Sequence, residues 1–285
     1  MIKRILVALD PDGDTPIATQ YAIEMAQKYN AEVTGLAVVD TSNIYPTGIV
    51  GEPGFTHHAR HLWEELSEKT RKTAENLLSE FKTSVEDAGI KYSAIKKEGA
   101  SFERIIDEMK YHDLLIVGRD SHFFYNEPKQ DTKTLAQVVK HGVAPTLVIT
   151  DQYRQISNIL VAFDGSNPAA RSLKNFVQLF PSVSDCTFNL ITINNNKPGS
   201  ESQKKSEEII KNSENYLKSH EISNFSSEII HGKKPSDKIL AKQKELDADL
   251  IILGAHAVSA IKRLAFGSTT HDLITKTNTP LFLSP

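Results

Sequence analysis

Residues 4–10 read Arg-Ile-Leu-Val-Ala-Leu-Asp, and residues 158–164 read Asn-Ile-Leu-Val-Ala-Phe-Asp. Both segments are short, rich in aliphatic side chains, and closed by an aspartate. A strand that is apolar on both faces is typical of a parallel sheet covered by helices on both sides. The pair therefore predicts two copies of one parallel α/β unit within a single chain.

Two further pairs of apolar runs recur in the same order. Residues 113–118 (Asp-Leu-Leu-Ile-Val-Gly) match residues 249–254 (Asp-Leu-Ile-Ile-Leu-Gly), and residues 144–149 match residues 279–284. Three matching runs in one order indicate an internal repeat, because chance similarity does not preserve the sequence of elements.

The runs alternate with patterns typical of helices, which predicts a doubly wound parallel sheet in each half. A polar stretch around residues 150–157 separates the halves, so we expect domains over 1–150 and 151–285. The expected helices cover residues 17–29, 62–88, 101–111, 202–219 and 236–246. The expected strands lie near residues 2–9, 32–39, 91–96, 113–118, 145–149, 158–163, 186–193, 225–230, 249–253 and 280–284.

Composition excludes several classes of protein. The 285 residues carry a net charge of -3, and no basic stripe is interleaved with aromatic residues, so no nucleic-acid partner is expected. No apolar run approaches the roughly 18 residues that span a bilayer, so no membrane partner is expected. Cys186 is the one cysteine and reads as a small buried hydrophobe. It cannot form an intramolecular disulfide, which favours a cytoplasmic protein.

In open α/β sheets ligands bind beyond the carboxyl ends of the strands, so the residues there are the candidates for a site. In the second half, residues 164–166 (Asp-Gly-Ser) follow the first strand and residues 254–257 (Gly-Ala-His-Ala) follow the fourth. After nine intervening residues, residues 267–269 (Gly-Ser-Thr) open a helix. Glycine admits a ligand close to the backbone, and helix-start N–H groups with hydroxyls favour an anion. The alternative is that Ser268 and Thr269 only cap the helix.

With this spacing the sequence resembles the universal stress protein family, whose ATP-binding members carry Gly-x2-Gly-x9-Gly-Ser/Thr and an aspartate ending the first strand. The resemblance covers the whole chain, once per half. It implies tandem α/β domains of the adenine nucleotide α-hydrolase type, with ATP, alone or with Mg, as ligand. It implies a regulatory protein with slow hydrolysis at most, no catalytic residue and no tightly bound metal. The halves would dock through their final strands as an intramolecular pseudo-dimer; a homodimer and an unidentified protein partner are further expectations.

The resemblance also implies the binding residues: Asp164, Ile193, Gly254, His256, Ala257, Gly267, Ser268 and Thr269. Asp164 and Ile193 would meet the adenine or its ribose, residues 254–257 the ribose and first phosphates, and residues 267–269 the outer phosphates. Ala257 stands where the family motif has its second glycine. If that position needs a positive φ, alanine costs about 1 kcal/mol or more, so we expect weakened binding.

The first half lacks this pattern. Asp10 is present, but residues 118–121 (Gly-Arg-Asp-Ser) are followed by Asp131-Thr132 where Gly-Ser is expected. The carboxylates of Asp120 and Asp131 would repel a triphosphate. We therefore expect no nucleotide site in this half, with Asp10 left as a remnant or as the N-cap of the next helix.

An extra segment, residues 40–60, contains three glycines and two prolines, and we expect a loop there. It would be a lid or interface arm, or a tolerated surface insertion. His57, His58 and His61 follow, and His57 with His61 has the spacing of a metal pair on a helix. Because no acid or cysteine completes a constellation, a solvated helix start is the favoured interpretation.

Two other functions stay open at this point. One is a stress protein without a nucleotide, in which both sites have decayed and protein–protein contacts carry the function. The other is an adenine-nucleotide hydrolase on a related α/β sheet, for which the necessary motifs are absent from the sequence.

Overall fold

A computed structural model describes residues 1–11, 13–40, 53–119, 133–181, 183, 185–195, 200–255 and 268–285, with backbone alone for 53–60, 62, 63 and 133. The chain forms two compact units. Here the first unit is residues 3–138, and the second unit is residues 1–2 together with 139–285.

The first unit contains a four-stranded parallel sheet in the order β3-β2-β1-β4. A helix follows each of these four strands along the chain. Residues 41–52, between β2 and its helix, and residues 120–132, between β4 and its helix, lie outside the described part. Its elements are β1 (Arg4–Leu9), α1 (Asp14–Tyr29), β2 (Glu32–Val39), α2 (Pro53–Asp87), β3 (Tyr92–Glu98), α3 (Ser101–Met109), β4 (Leu114–Gly118) and the start of α4 (Lys133–His141).

The second unit contains a six-stranded sheet in the order β5-β10-β9-β6-β7-β8. All neighbouring strands in it are parallel except β5 and β10, which pair antiparallel with Leu147 opposite Phe282. Its elements are β5 (Thr146–Ile149), β6 (Asn158–Ala162), α5 (Asn167–Leu179), β7 (Thr187–Asn194), α6 (Glu201–Ser219), β8 (Phe225–His231), α7 (Pro235–Leu246), β9 (Leu250–Leu253), α8 (Ser268–Lys276) and β10 (Leu281–Leu283).

The central strands are buried because helices cover both faces of each sheet. Ile5 and Leu6 of β1 and Ile159 and Leu160 of β6 expose no surface. In the second unit an aromatic cluster fills one face, with the ring of Phe176 packed edge-on against those of Phe188 and Phe282. Burying such side chains supplies the main favourable free energy of folding. The predicted doubly wound parallel α/β architecture is confirmed.

The aspartate that precedes the fourth strand makes the same kind of contact in both halves. In the first unit Asp113 Oδ2 accepts from the N–H groups of Lys3 (2.7 Å) and Arg4 (2.9 Å). In the second unit Asp249 Oδ2 accepts from the N–H of Asn158 at 2.9 Å. The carboxylate thus joins the start of the fourth strand to the start of the first by accepting from backbone N–H groups.

The division into units differs from the division by sequence repeats at one strand. β5 ends the first sequence copy, but it belongs to the second unit because it exchanges hydrogen bonds with β10. The domain boundary near residue 150 stays a prediction, as does the pseudo-dimer.

The loop expected over residues 40–60 is partly wrong. Helix α2 begins at Pro53, so residues 53–60 are helical, and the helix starts nine residues before the predicted one. Proline suits a first helical position, where its missing N–H has no helical partner. The side chains of His57, His58 and Trp63 lie outside the described residues, and His61 is exposed. Across the described ranges, no group of three metal-ligating side chains is assembled.

No helix in the described ranges combines the length and the apolarity needed to cross a bilayer.

Candidate functional site

A cleft of about 250 Å³ opens in the second unit where β6, β7 and β9 end. Helices α7 and α8 begin at the same edge and form its other walls. Parallel strands bring their carboxyl ends to one edge, so residues distant in sequence meet here. The residues that line the cleft are Ala162, Phe163, Asp164, Ile191, Ile193, Pro235, Ile239, Leu253, Gly254, Ser268, Thr269 and Thr270.

The loop after β6 holds the one charged side chain among these lining residues. Asp164 is exposed, and its Oδ1 accepts from the N–H of Ser166 at 2.9 Å. The turn needs the positive φ of Gly165 (77°), which L side chains rarely adopt. Ser166 then caps α5 by accepting from the Ala169 N–H. The sequence Asp-Gly-Ser therefore builds a turn that leaves the carboxylate at the mouth of the cleft.

Gly254 follows β9 at the floor of the cleft. A Cβ at this position would lie 2.5 Å from the backbone nitrogen of Ala169 and 2.9 Å from the carbonyl carbon of Pro168. The first turn of α5 thus packs directly against the glycine. The sequence interpretation assigned this glycine to close approach of a ligand, whereas the structure shows that the backbone of α5 requires it.

The first turn of α8 forms the wall on the other side of the floor. Ser268 is exposed, Thr269 is half-buried, and the buried Thr270 hydroxyl donates to the carbonyl of Gly254 at 3.3 Å. That bond ties α8 to the end of β9. The first N–H groups of a helix have no partner within it and carry the positive end of the helix dipole, so this wall favours an anion.

An apolar wall faces the helix start. It combines Ile191 and Ile193 of β7 with Leu253 of β9 and with Pro235 and Ile239 of α7. Ile193 is among the site residues predicted from the sequence, whereas Pro235, Ile239 and Thr270 are not. Pro235 directly follows the loop after β8, so the rule that parallel strands end at one edge could have found it.

Lys233 and Lys234, the two cations just before α7, are exposed and do not line the cleft. Lys234 lies 3.9 Å from Asp237 in the first turn of α7. Their side chains are therefore not part of the described wall.

A buried hydrogen bond joins α7 and α8, the two helices that border the cleft. The buried Ser236 hydroxyl donates to Asp272 Oδ2 at 2.8 Å, and Lys276 Nζ lies 3.3 Å from the other carboxylate oxygen. The Ser236 hydrogen bond, followed by the contacts with Lys276, lowers the pKa of Asp272 below its ordinary value. Asp272 is therefore ionised at neutral pH and accepts from both partners.

The structure brings five of the predicted site residues to one cleft: Asp164, Ile193, Gly254, Ser268 and Thr269. His256, Ala257 and Gly267 lie outside the described residues. The nucleotide-binding roles assigned to all eight stay predictions.

The corresponding edge of the first unit buries carboxylates. Asp10, Asp14 and Asp40 are each less than 5% exposed. The N-cap of α1 is Gly13, so Asp10 does not occupy the cap position considered for it. Its backbone is instead joined to the Thr15 hydroxyl in both directions, at 2.9 and 2.5 Å. Asp120 and Asp131 lie outside the described residues.

The sequence matches the model of the universal stress protein family twice, over residues 1–150 and 155–285. A universal stress protein of Synechocystis sp. is 23% identical over 291 aligned positions, which cover 98% of this chain and 99% of that protein. Two such matches in one chain agree with the internal repeat.

Solved structures that cover nearly the whole chain show the same fold. A universal stress protein from Archaeoglobus fulgidus superposes with a TM-score of 0.72 at 19% identity, covering 99% of this chain and 95% of that one. A universal stress protein family protein from Arabidopsis thaliana, solved with AMP bound, covers 52% of this chain and 91% of its own, with 18% identity and a TM-score of 0.36.

Proposed function

This chain belongs to the universal stress protein family, and we propose that its second unit binds an adenine nucleotide, with ATP as the ligand. The observation that carries the proposal is that one cleft combines a carboxylate, an apolar wall and the start of a helix. Asp164 stands at its mouth, an apolar wall faces inward from β7, β9 and α7, and α8 starts at its other side.

Each wall suits one part of the ligand. An adenine ring would pack against Ile193, Ile239 and Leu253, since flat apolar surface is best buried against aliphatic side chains. The Asp164 carboxylate would accept from a ribose hydroxyl or the adenine amine. Phosphates would lie at the α8 start, where N–H groups and the hydroxyls of Ser268 and Thr269 donate.

The family resemblance adds residues 254–257 around the ribose and first phosphate, and Gly267 beside the outer phosphates. AMP, which is bound in a solved relative, shares its adenine, ribose and first phosphate with ATP. We propose binding as a regulatory signal, with slow hydrolysis at most and with Mg accompanying the phosphates where three are present.

Ser268→Asp tests the placement of the phosphates. Aspartate is favourable at a helix start, so the fold is retained, but its carboxylate repels phosphate. We expect ATP affinity to fall at least about tenfold in isothermal titration calorimetry, with adenosine affinity within about twofold of wild type.

Ser200→Asp is the matched control. Ser200 caps α6, which does not line the cleft, and aspartate is an equally good cap. It should leave ATP affinity unchanged. Absence of binding by the wild-type chain at millimolar ATP would refute the nucleotide proposal and leave protein–protein contacts as the function. Equal ATP affinity in the wild type and Ser268→Asp would refute the site.

A further inference from the structure

The hydrogen bond between Ser236 and Asp272 joins α7 and α8, the two helices that border the cleft. Ser236 is 5% exposed, and its hydroxyl lies 2.8 Å from Asp272 Oδ2. Ser236 follows Pro235 in the first turn of α7, and both Pro235 and Ile239 line the apolar wall. The contact therefore starts from the helix that presents the surface proposed for adenine.

The other end of the contact lies on the helix proposed for the phosphates. Asp272 is four residues after Ser268, so the two share one face of α8 and are separated by about 6 Å along its axis. Thr270 holds the same turn against Gly254 on the opposite side. The start of α8 is thus held from two directions, by β9 through Thr270 and by α7 through Asp272.

The first unit uses the matching serine differently. Ser101 opens α3, which like α7 follows the third strand, and is 1% exposed. Its N–H and hydroxyl both donate to Asp40, at 2.7 and 2.9 Å. Asp40 directly follows β2, so this serine is joined to a strand end rather than to the fourth helix.

The acids have exchanged positions between the halves. Asp272 stands eight residues before Pro280, and Gln137 stands eight residues before Pro145 in the first half. Conversely, Asp40 follows β2, while Asn195 follows the corresponding strand β7. Each half therefore has one acid that binds its serine. In the second unit, which contains the cleft, this acid is Asp272 on the fourth helix, so its contact joins that helix to the third.

We propose that Ser236 and Asp272 are positioning residues that set the distance between the base wall on α7 and the phosphate wall on α8. This inference rests on the proposed nucleotide site. Its consequence is selective: the contact matters for ligands that reach both walls and not for a ligand that occupies the base wall alone.

Loss of the Ser236 hydroxyl leaves the Asp272 carboxylate with its ion pair to Lys276 and removes the hydrogen bond between α7 and α8. We expect Ser236→Ala, which removes the contact without changing any charge, to weaken ATP and AMP binding about five- to tenfold, the equivalent of one hydrogen bond. Adenosine affinity should stay within about twofold of wild type.

The test is calorimetric titration of the full chain with adenosine, AMP and ATP. Ser101→Ala is the control, since it removes an equally buried serine hydroxyl from the first unit and should change no nucleotide affinity. Ser236→Thr keeps the hydroxyl and should restore the wild-type ratio of ATP to adenosine affinity.

The outcomes separate the two proposals. If wild type binds ATP but Ser236→Ala weakens all three ligands equally, or none, the positioning role is wrong while the nucleotide site stands. If wild type binds none of the three, the proposed function itself fails and the inference fails with it. A matching loss in Ser101→Ala would show a general effect of destabilisation and would also overturn the positioning role.

Discussion

At the scale of single residues, Gly254 shows that a glycine in a binding motif can be required by packing. The glycine lines the cleft, and the backbone of α5 occupies the space that a side chain would need. The nitrogen of Ala169 lies 2.5 Å from the position of a Cβ. Backbone cannot swing aside as a side-chain end can, so a methyl group there forces α5 and β9 apart.

We therefore expect Gly254→Ala to destabilise the chain by about 1–3 kcal/mol, the usual cost of overpacking a core. Urea denaturation monitored by circular dichroism measures the change. Gly13→Ala is the control: its φ is −63° and a Cβ there meets nothing within 4 Å, so its effect should stay within about 0.5 kcal/mol. Equal stability of the Gly254→Ala variant and the wild type would contradict the packing role.

At the scale of elements, a polar network joins β2, β3 and the end of α3 in the first unit. His112 is 7% exposed; its Nδ1 lies 2.7 Å from the carbonyl of Glu108 and its Nε2 lies 2.9 Å from Thr34 Oγ1. Thr34 in turn lies 3.0 Å from Ser93 Oγ on β3. A carbonyl only accepts, so Nδ1 carries the proton and neutral His112 receives the Thr34 hydroxyl at Nε2.

Burial lowers the pKa of His112, and the nearby Arg4 acts in the same direction. The backbone hydrogen bond to Glu108 and the carboxylates of Glu108 and Glu32 oppose that shift without cancelling it. The folded chain therefore binds this proton less readily than the unfolded chain, whose histidine pKa is near 6.5.

The resulting stabilisation is complete above pH 6.5 and is lost as pH falls below that value through the folded pKa. We expect the free energy of unfolding to fall on acidification, with a slope of at most about 1.4 kcal/mol per pH unit from this one group. Urea denaturation from pH 8 to pH 5 in the wild type and in His112→Asn measures it. The difference in slope isolates His112 from the other histidines, and parallel slopes would disprove the assignment.

At the scale of the whole molecule, the two units are unequal copies of one architecture. The second unit has a cleft at its carboxyl edge, whereas the first unit buries Asp10, Asp14 and Asp40 at the corresponding edge. Buried carboxylates disfavour a further anion in the same space because like charges repel strongly where water is scarce.

We therefore expect one adenine nucleotide per chain. Calorimetric titration of the full chain with ATP should give a stoichiometry near one, and Ser268→Asp should weaken that single binding event at least about tenfold. A stoichiometry near two, or a full second equivalent that survives Ser268→Asp, would place a site in the first unit and contradict the assignment.

Much of the fold could be predicted from the sequence, because buried parallel strands leave uninterrupted aliphatic runs. The expected β2 over residues 32–39 matches its observed bounds, and β7, expected over 186–193, is observed at Thr187–Asn194. Where the apolar signal is weak, the prediction is wrong. The glycines and prolines of residues 40–60 predict a loop, whereas α2 begins at Pro53.

The candidate site could be predicted only in part. Asp164, Gly254 and the α8 start carry local signals, because turns and helix starts need particular residue types. Pro235 and Ile239 carry no such signal, since an apolar residue in a helix reads as core until its neighbours are known. The link between Ser236 and Asp272 spans 36 residues and depends on how two helices pack.

The sequence by itself determined the repeat, the parallel α/β class and the edge of the sheet at which a ligand would bind. Those properties follow from local physics: which side chains favour strands, turns and helix starts. Only the tertiary structure decided that α5 requires Gly254 and that β5 pairs with β10. It also decided that the buried Ser236 hydroxyl donates to Asp272 and not to a residue after β7. These outcomes depend on which backbones and side chains meet across long separations, and a single sequence does not encode that meeting in any local pattern.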